Sequence, residues 1–280
     1  MSGLVVYAGE PGAFAEDAVL AARGDVFRRA VPGFREVFEA VTAGEAMVGV
    51  IPIENLVNGT VRENYDLLLE HDLVIVGEVV VPVRLCLAAL PGERIDEIAR
   101  VYSHIQALGQ AEAFLRTRPW TTLTTYNTAG AGKLIVDRGE VGAAAVLSPR
   151  AAKLFGLEIL ADEIQSVPDN RTRFFVIARP ENAAQVEGER RAGVARRTSL
   201  AFAVRNEPGT LLRALEAFAV RHVNLSKLES RPSRSTAWEY VFFVDIDADA
   251  ADPDCAAALD DLRGVSTMVR VLGSYDRAGD

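Results

Sequence analysis

Val48-Gly49-Val50-Ile51-Pro52-Ile53-Glu54-Asn55 is an apolar run that ends in an acid and an amide. A run of this length and composition predicts a buried β-strand with the two polar residues at its carboxyl end. Short β-rich runs of the same kind alternate with helical patterns throughout residues 1–178. This alternation is typical of an α/β sheet architecture.

The domain organisation follows from where the pattern changes. An apolar stretch over residues 73–90, interrupted by Pro82, is expected to lead from one α/β lobe into a second, at about residues 80–165. Residues 179–197 carry almost no bulky apolar side chains and no usable period, which predicts a solvated linker. From residue 198 to residue 280 the order becomes β, α, β, β, α, β, as in a ferredoxin-like unit.

Composition and charge exclude several classes of protein. The chain has 280 residues, 49% hydrophobic and 25% charged, which is typical of a globular protein of two domains. Its net charge of −9 argues against nucleic-acid binding, because a phosphate backbone requires a basic surface. No apolar run reaches the roughly 18–20 residues of a membrane span, and the N-terminus lacks a basic secretory region. Cys86 and Cys255 lack metal-ligand spacing, so we expect reduced core thiols in a cytoplasmic protein.

Polar residues at predicted strand-to-helix junctions are the first candidates for a binding site. Ser103-His104-Ile105-Gln106 fits a capping box after a strand, and Gln106 and Gln110 share one face of the helix that follows. Two more helix starts are predicted at Pro11-Gly12 and at Asn127-Thr128. Free N–H groups at such ends favour carboxylates or phosphates, and the junctions gather at the carboxyl ends of parallel strands. Taken singly, each motif is better explained by ordinary helix capping or by a solvated helix face.

A hydroxyl group flanked by guanidinium groups stands at the start of another strand. Asn170-Arg171-Thr172-Arg173 leads directly into the apolar residues 174–177. Strand alternation places Thr172 on one face and Arg173 on the other. This arrangement favours an encounter between Thr172 and an anionic substrate in a cleft.

In this combination and order, the motifs resemble those of the prephenate dehydratase family. The family's N-terminal signature is similar to residues 9–14, its Pro-Ile-Glu-Asn element to residues 52–55 and its Thr-Arg-Phe signature to residues 172–174. Its Ser-His-Pro-Gln element matches residues 103–106, except that Ile105 replaces the proline. Residues 209–215 and the run Glu229-Ser230-Arg231-Pro232 resemble the two signatures of the family's regulatory ACT domain.

The resemblance implies a catalytic domain over residues 1–178, with two lobes like those of type II periplasmic-binding proteins, and an ACT domain over residues 198–280. The implied reaction converts prephenate to phenylpyruvate, water and CO2 in phenylalanine biosynthesis, without a cofactor or metal. Thr172 would assist departure of the ring hydroxyl, while Glu54, Asn55, Ser103 and Gln110 would complete the catalytic set. The implied substrate-binding residues are Gly12, His104, Gln106, Asn127, Thr128 and Arg173.

The resemblance also implies feedback control by L-phenylalanine. The effector would bind where a helix begins in the last domain and at the strand beside it, in a homodimer or homotetramer. The implied effector residues are Gly209, Thr210, Leu211, Leu212, Glu229, Ser230, Arg231 and Pro232.

Two alternatives to this function stay open at the level of the sequence. One is another enzyme, an arogenate dehydratase, since the motifs do not separate prephenate from arogenate. A related decarboxylase that leaves the ring non-aromatic has less support, because Thr172 is present. The other is a non-enzymatic amino-acid sensor, against which the Thr-Arg-Phe and Glu-Asn elements argue.

Overall fold

A computed structural model describes residues 3–188, 193–232 and 240–279. The chain forms two compact units, one of Met1–Leu67 with Val79–Phe175 and one of Leu68–Glu78 with Val176–Asp280. Three sheets run through them, with six, five and four strands.

The first sheet has the order β2-β1-β3-β11-β5, with β4 paired to β3. Parallel pairing of β1 with β2 and with β3 confirms the predicted α/β architecture. Its strands are β1 (Val5–Ala8), β2 (Arg28–Val31), β3 (Val48–Asn55), β4 (Gly59–Thr60), β5 (Val74–Pro82) and β11 (Arg171–Ala178). Its helices are α1 (Phe14–Arg23), α2 (Phe34–Thr42) and α3 (Arg62–Glu70). We call the part of the first unit that carries β1 to β4 the first lobe.

The second sheet, in the order β10-β6-β9-β7-β8, forms the second lobe of the same unit. It is mixed, because β7 pairs in parallel with β8 and β9 while β6 pairs antiparallel with β9 and β10. Its strands are β6 (Cys86–Ala89), β7 (Arg100–Ser103), β8 (Thr121–Thr124), β9 (Ala143–Leu147) and β10 (Glu158–Ala161). Its helices are α4 (Ile105–Gln110), α5 (Glu112–Leu115), α6 (Thr128–Arg138) and α7 (Pro149–Leu154). Two apolar clusters bury the sheet, with every residue of β9 inside them.

The third sheet belongs to the second unit and confirms the predicted β, α, β, β, α, β order. The elements are β12 (Arg196–Ala203), α9 (Thr210–Ala219), β13 (Leu225–Pro232), β14 (Tyr240–Ile246), α10 (Pro253–Val265) and β15 (Met268–Asp276). The strands are antiparallel in the order β13-β14-β12-β15. Both helices bury their apolar sides against the sheet, where Phe202 and Phe218 are fully buried.

Residues 68–78 pack within this second unit, which the sequence pattern did not predict. The Glu78 carboxylate accepts a hydrogen bond from Arg197 Nη1 at 2.9 Å, and the side chain of Glu78 is only 1% exposed. Arg270 on β15 donates to the carbonyl oxygens of Leu69 and His71. A Cβ atom at Gly273 would lie 2.0 Å from a backbone oxygen of this segment, so the close approach requires glycine.

The prediction of a solvated linker is wrong for part of residues 179–197. A 3-10 turn at Pro180–Asn182 leads into α8 (Ala183–Glu187), and Val186 is buried. The strand β12 begins at Arg196, whose guanidinium group pairs with Glu187, Asp249 and Asp276. The segment contains one buried valine and leads into a strand that begins with a charged residue. It therefore has too few apolar residues for its sequence to show a hydrophobic periodicity. Residues 189–192 of the predicted linker lie outside the described residues.

Both cysteines are buried and neither forms a disulfide, as predicted. Burial raises the pKa of Cys86 to about 12 and that of Cys255 to about 11, so both remain protonated. Within the described residues, no helix has the length and apolar character needed to cross a membrane.

Candidate active site

An open cleft of about 710 Å³ in the first unit is lined by residues from both lobes. Many of them follow directly after a strand, such as Gly9 after β1, Asn55 at the end of β3 and His104 after β7. In α/β proteins, ligands bind at the carboxyl ends of the parallel strands, and these residues lie there. The predicted site residues that line the cleft are Asn55, His104, Gln106, Gln110, Asn127, Thr128 and Thr172.

Asn55 and Thr172, which both line the cleft, are joined by a hydrogen bond. Asn55 Nδ2 donates to Thr172 Oγ1 at 2.9 Å, and Asn55 is 7% exposed. The Asn55 Oδ1 atom accepts from the backbone N–H groups of Val57 and Asn58, which fixes the amide orientation. Because the Thr172 oxygen already accepts this bond, its own hydrogen is available for a group in the cleft.

Asn170 belongs to the same network, although it was not among the predicted site residues. Its Oδ1 atom accepts a second hydrogen bond from Asn55 Nδ2 at 2.9 Å, and it is 2% exposed. The Asn170 Nδ2 atom is buried without a hydrogen-bond partner. The sequence signal was its place two residues before Thr172, at the head of the same strand. Asn170 therefore helps to fix the amide group of Asn55, which in turn donates a hydrogen bond to Thr172.

The helix α4 contributes His104, Gln106 and Gln110 to the cleft wall. His104, rather than the predicted Ser103, is the N-cap residue, and its Nδ1 atom accepts from the N–H group of Gln106 at 3.4 Å. Burial lowers the pKa of His104, so its imidazole is neutral at pH 7 and Nδ1 can accept.

The N-terminus of α6 contributes a second polar wall. Asn127 is its N-cap, with Oδ1 accepting from the N–H groups of Ala129 and Gly130. Beside it, Tyr126 is 68% exposed and its hydroxyl donates to Glu10 Oε1 at 3.0 Å, from the second lobe to the first. Partial desolvation of the hydroxyl group and the Glu10 carboxylate both raise the pKa of Tyr126, so the phenol is protonated at neutral pH.

The cleft lining contains few charged residues, and their charges are opposite in sign. Among the lining residues, all within the described part of the chain, Arg62 is the one Lys or Arg and Glu63 the one Asp or Glu. The two are neighbours in the first turn of α3. The cleft lining therefore offers one cationic and one anionic side chain to a ligand.

Four predicted site residues lie outside the cleft lining. Ser103 is fully buried and its hydroxyl donates to the carbonyl oxygen of Val146 at 2.6 Å, so it supports the second sheet. Arg173 faces away, as strand alternation requires, with its guanidinium carbon 5.0 Å from the Phe175 ring centroid. Glu54 pairs in register with Thr60 on β4.

Gly12 is the fourth residue outside the lining. Its backbone φ is +90°, and a Cβ atom there would lie 3.0 Å from Ala151 Cβ. It packs against α7 and is a contact between the lobes.

The predicted effector residues lie on the second unit, where α9 begins and along β13. Gly209 is the N-cap of α9 with φ +83°, a conformation that favours glycine. The Thr210 hydroxyl donates to the carbonyl oxygens of Arg205 and Glu207, so it closes the loop before α9.

Two features of this surface bear on the predicted effector site. Leu212, one of the predicted effector residues, is 61% exposed on α9. The strand β13 lies at the edge of its sheet and carries Glu229, Ser230, Arg231 and Pro232.

Comparisons with known proteins agree with this architecture. A model of the prephenate dehydratase family matches residues 5–182, and a model of the ACT domain matches residues 198–264. The chain is 41% identical over 280 residues to arogenate dehydratase/prephenate dehydratase 2, chloroplastic, of Arabidopsis thaliana, covering 97% of this chain and 72% of that protein.

Solved structures are similar over almost the whole length. Prephenate dehydratase of Arthrobacter aurescens in complex with L-Phe has a TM-score of 0.87 at 33% identity, covering 98% of this chain and 90% of that one. A protein described as a quorum quenching acylase, GqqA, has a TM-score of 0.88 at 30% identity, covering 98% and 97%. By its sequence, its fold and its cleft, the chain belongs to the prephenate dehydratase family.

Proposed function

We propose that this protein is a dehydratase that converts prephenate to phenylpyruvate, water and CO2. The observation that carries the proposal is the Thr172 hydroxyl in the cleft, whose oxygen accepts from Asn55 Nδ2 at 2.9 Å. This bond leaves the hydroxyl hydrogen to be donated, and the departing ring hydroxyl requires a donor. No role is assigned to Ser103 or Gly12 in contacting substrate.

The chemistry requires one donor and careful positioning. Cleavage of the bond between the ring and its carboxylate releases CO2, and the electron pair moves into the ring. The C4–O bond then breaks, and the leaving hydroxyl takes a proton from Thr172 and departs as water. Solvent returns that proton to Thr172, so the reaction consumes one proton in total. Aromatisation supplies the driving force, and a hydrogen bond that strengthens in the transition state lowers the barrier.

The remaining lining groups position the substrate. Gln106 and Gln110 supply amides from α4, and Asn127 and Thr128 lie at the N-terminus of α6. Such amides and helix N–H groups suit carboxylate and carbonyl oxygens. Arg62 adds a guanidinium group for one of the two carboxylates of prephenate.

Arogenate is the second candidate substrate, and the charged pair Arg62 and Glu63 favours it. Arogenate differs from prephenate in carrying an ammonium group in place of the side-chain carbonyl. An adjacent guanidinium and carboxylate match the carboxylate and the ammonium group of the arogenate side chain, whereas prephenate has the same carboxylates but offers Glu63 no cation. The name of the Arabidopsis relative, which includes both activities, also supports testing both substrates.

The deciding experiment is an assay of the purified, chelator-treated protein with prephenate and with arogenate. Aromatic product and proton uptake are followed together. The Glu63→Gln variant should shift the ratio of kcat/KM toward prephenate, whereas Glu36→Gln on the exposed side of α2 should not. Failure to consume either substrate would refute the dehydratase proposal and support the amino-acid sensor.

The acylase described for one similar structure receives less support from this cleft. Acyl transfer requires an activated nucleophile. The lining residues, which all belong to the described ranges, include no serine or cysteine, and the Thr172 hydroxyl contacts the amide of Asn55, which is not a base.

We further propose that L-phenylalanine binds the second unit and inhibits the enzyme. The Arthrobacter structure in complex with L-Phe and the ACT-domain match support this proposal. The first turn of α9 offers N–H groups for an amino-acid carboxylate. The exposed Leu212 and Leu228 and the edge strand β13 offer a surface for a second copy of the chain, so we propose a homodimer or homotetramer.

A further inference from the structure

A buried carboxylate, Glu16, lies at the base of the first helix and receives three donors. Glu16 is 6% exposed, and its two oxygens accept from Gly12 N and Arg28 Nε at 2.6 Å and from Arg150 Nη2 at 2.5 Å. Burial opposes its ionisation, but these three hydrogen bonds outweigh burial and hold the pKa of Glu16 below its usual value. The group is therefore charged at neutral pH.

Arg150 reaches this carboxylate from the other lobe. It lies on α7 in the second lobe, whereas Glu16 lies on α1 in the first. The Nε atom of Arg150 also donates to Asp17, so a single guanidinium group bridges two carboxylates of α1. Its side chain is 33% exposed, which limits its contribution to stability but not its geometric constraint.

The Glu16 carboxylate that binds Arg150 also restrains the loop of residues 9–13. The N–H group of Gly12 is bound by Glu16, and its carbonyl oxygen accepts from Ser148 Oγ, the N-cap of α7, at 3.2 Å. Both backbone polar groups of Gly12 are thus fixed, one of them by the second lobe. Gly9 and Ala13, at the two ends of the loop, line the cleft.

We propose that Arg150 is a positioning residue of the cleft. By binding Glu16 and Asp17, it holds residues 9–13 against the second lobe, so that the two walls of the cleft keep the separation that the substrate requires. Arg150 does not contact the substrate, because it is not among the lining residues. This inference rests on the proposed dehydratase function for its kinetic consequence, but not for its structural one.

Loss of Arg150 should affect KM more than kcat. If the fixed loop is populated in only part of the molecules, apparent affinity falls by that fraction, while saturating substrate restores the competent form. The fold should survive, because the Glu16 carboxylate keeps Arg28 as a charged partner. A loss of folding stability therefore does not account for the expected rise in KM.

The test compares Arg150→Met with Arg150→Lys and with Lys153→Met. Lys153 is an exposed cation on the same helix, so its variant controls for charge. We expect Arg150→Met to raise KM about tenfold with kcat within about threefold, and Arg150→Lys to recover much of the loss. Lys153→Met should match the wild type.

Amide hydrogen exchange over residues 9–16 gives a readout that needs no activity. The Gly12 amide should exchange faster in Arg150→Met at a temperature well below its Tm, and at the wild-type rate in Lys153→Met. Unchanged KM together with unchanged exchange would overturn the proposal, even if Tm fell. A wild-type protein without dehydratase activity would refute the proposed function, and the exchange rates would still decide whether Arg150 holds the loop.

Discussion

Asn55 Nδ2 and Thr172 Oγ1 lie 2.9 Å apart, and the amide also donates to Asn170 Oδ1 and to the carbonyl oxygen of Arg171. One side chain of β3 thus fixes the head of β11, where the hydroxyl enters the cleft. The Asn55 oxygen is committed to the turn after β3, so the amide cannot rotate without losing two further bonds. The Thr172 oxygen is consequently held in place by the amide of Asn55.

Replacement of Thr172 by valine should lower kcat by about 10²–10³-fold, as expected for the loss of one preorganised donor. KM should change much less, because charge on the leaving oxygen develops mainly in the transition state. Thr172→Ser keeps the hydroxyl and should retain most of the rate. Steady-state kinetics of both variants provide the measurement, and a wild-type kcat in Thr172→Val would remove this residue from the mechanism.

Asn55 should act on the reaction through Thr172, so the two substitutions should not be additive. Asn55→Ala should lower kcat, and the double variant with Thr172→Val should be no slower than Thr172→Val alone. A double-mutant cycle on kcat measures this coupling. Independent, multiplicative losses would show that Asn55 binds the substrate directly.

Much of this fold could be predicted from the sequence, but the direction of individual side chains could not. The order of elements after residue 198 follows from hydrophobic periodicity, and Thr172 follows from its place at a strand start. Ser103 occupies the last position of β7, where the pleat turns its hydroxyl toward Val146, and a motif does not reveal that direction. Leu212 belongs to an apolar stretch of the sequence, yet its side chain lies on the exposed side of α9.

Long-range contacts were also beyond sequence reasoning. The packing of residues 68–78 in the second unit depends on a buried ion pair between Glu78 and Arg197, which are 119 positions apart. The role of Arg150 depends in the same way on a carboxylate 134 positions away. Charged residues read singly along a sequence are expected at the surface, and only the fold shows which of them meet.

His104 should make the protein less stable as the pH falls below neutrality. Its pKa is lowered by burial from the usual 6.5, so the unfolded chain binds a proton at a pH where the folded chain does not. Stability attributable to His104 is therefore complete above the unfolded pKa and is lost as pH falls through it, until the folded pKa is reached.

The measurement is thermal unfolding of the wild type and His104→Asn at pH 7.5, 6.5 and 5.5. Asparagine can still cap α4 but does not titrate. The wild type should lose more Tm than the variant over this range, whereas parallel pH profiles would show that His104 does not contribute. His71 and His222 are present in both proteins and cancel in the comparison.

Control by phenylalanine should depend on Leu212, an exposed side chain in the first turn of α9. Leu212→Asp should leave folding intact, because the side chain is 61% exposed, and should keep the basal rate. It should abolish inhibition by phenylalanine, since a carboxylate repels the effector's own carboxylate and disfavours an apolar contact with a second copy.

Val220→Asp is the matched control, because Val220 is 68% exposed and caps the opposite end of the same helix. Inhibition curves and sedimentation of the three proteins decide the matter. Wild-type inhibition in Leu212→Asp would place the effector elsewhere, and the loss of inhibition in both variants would indicate a general disturbance of α9.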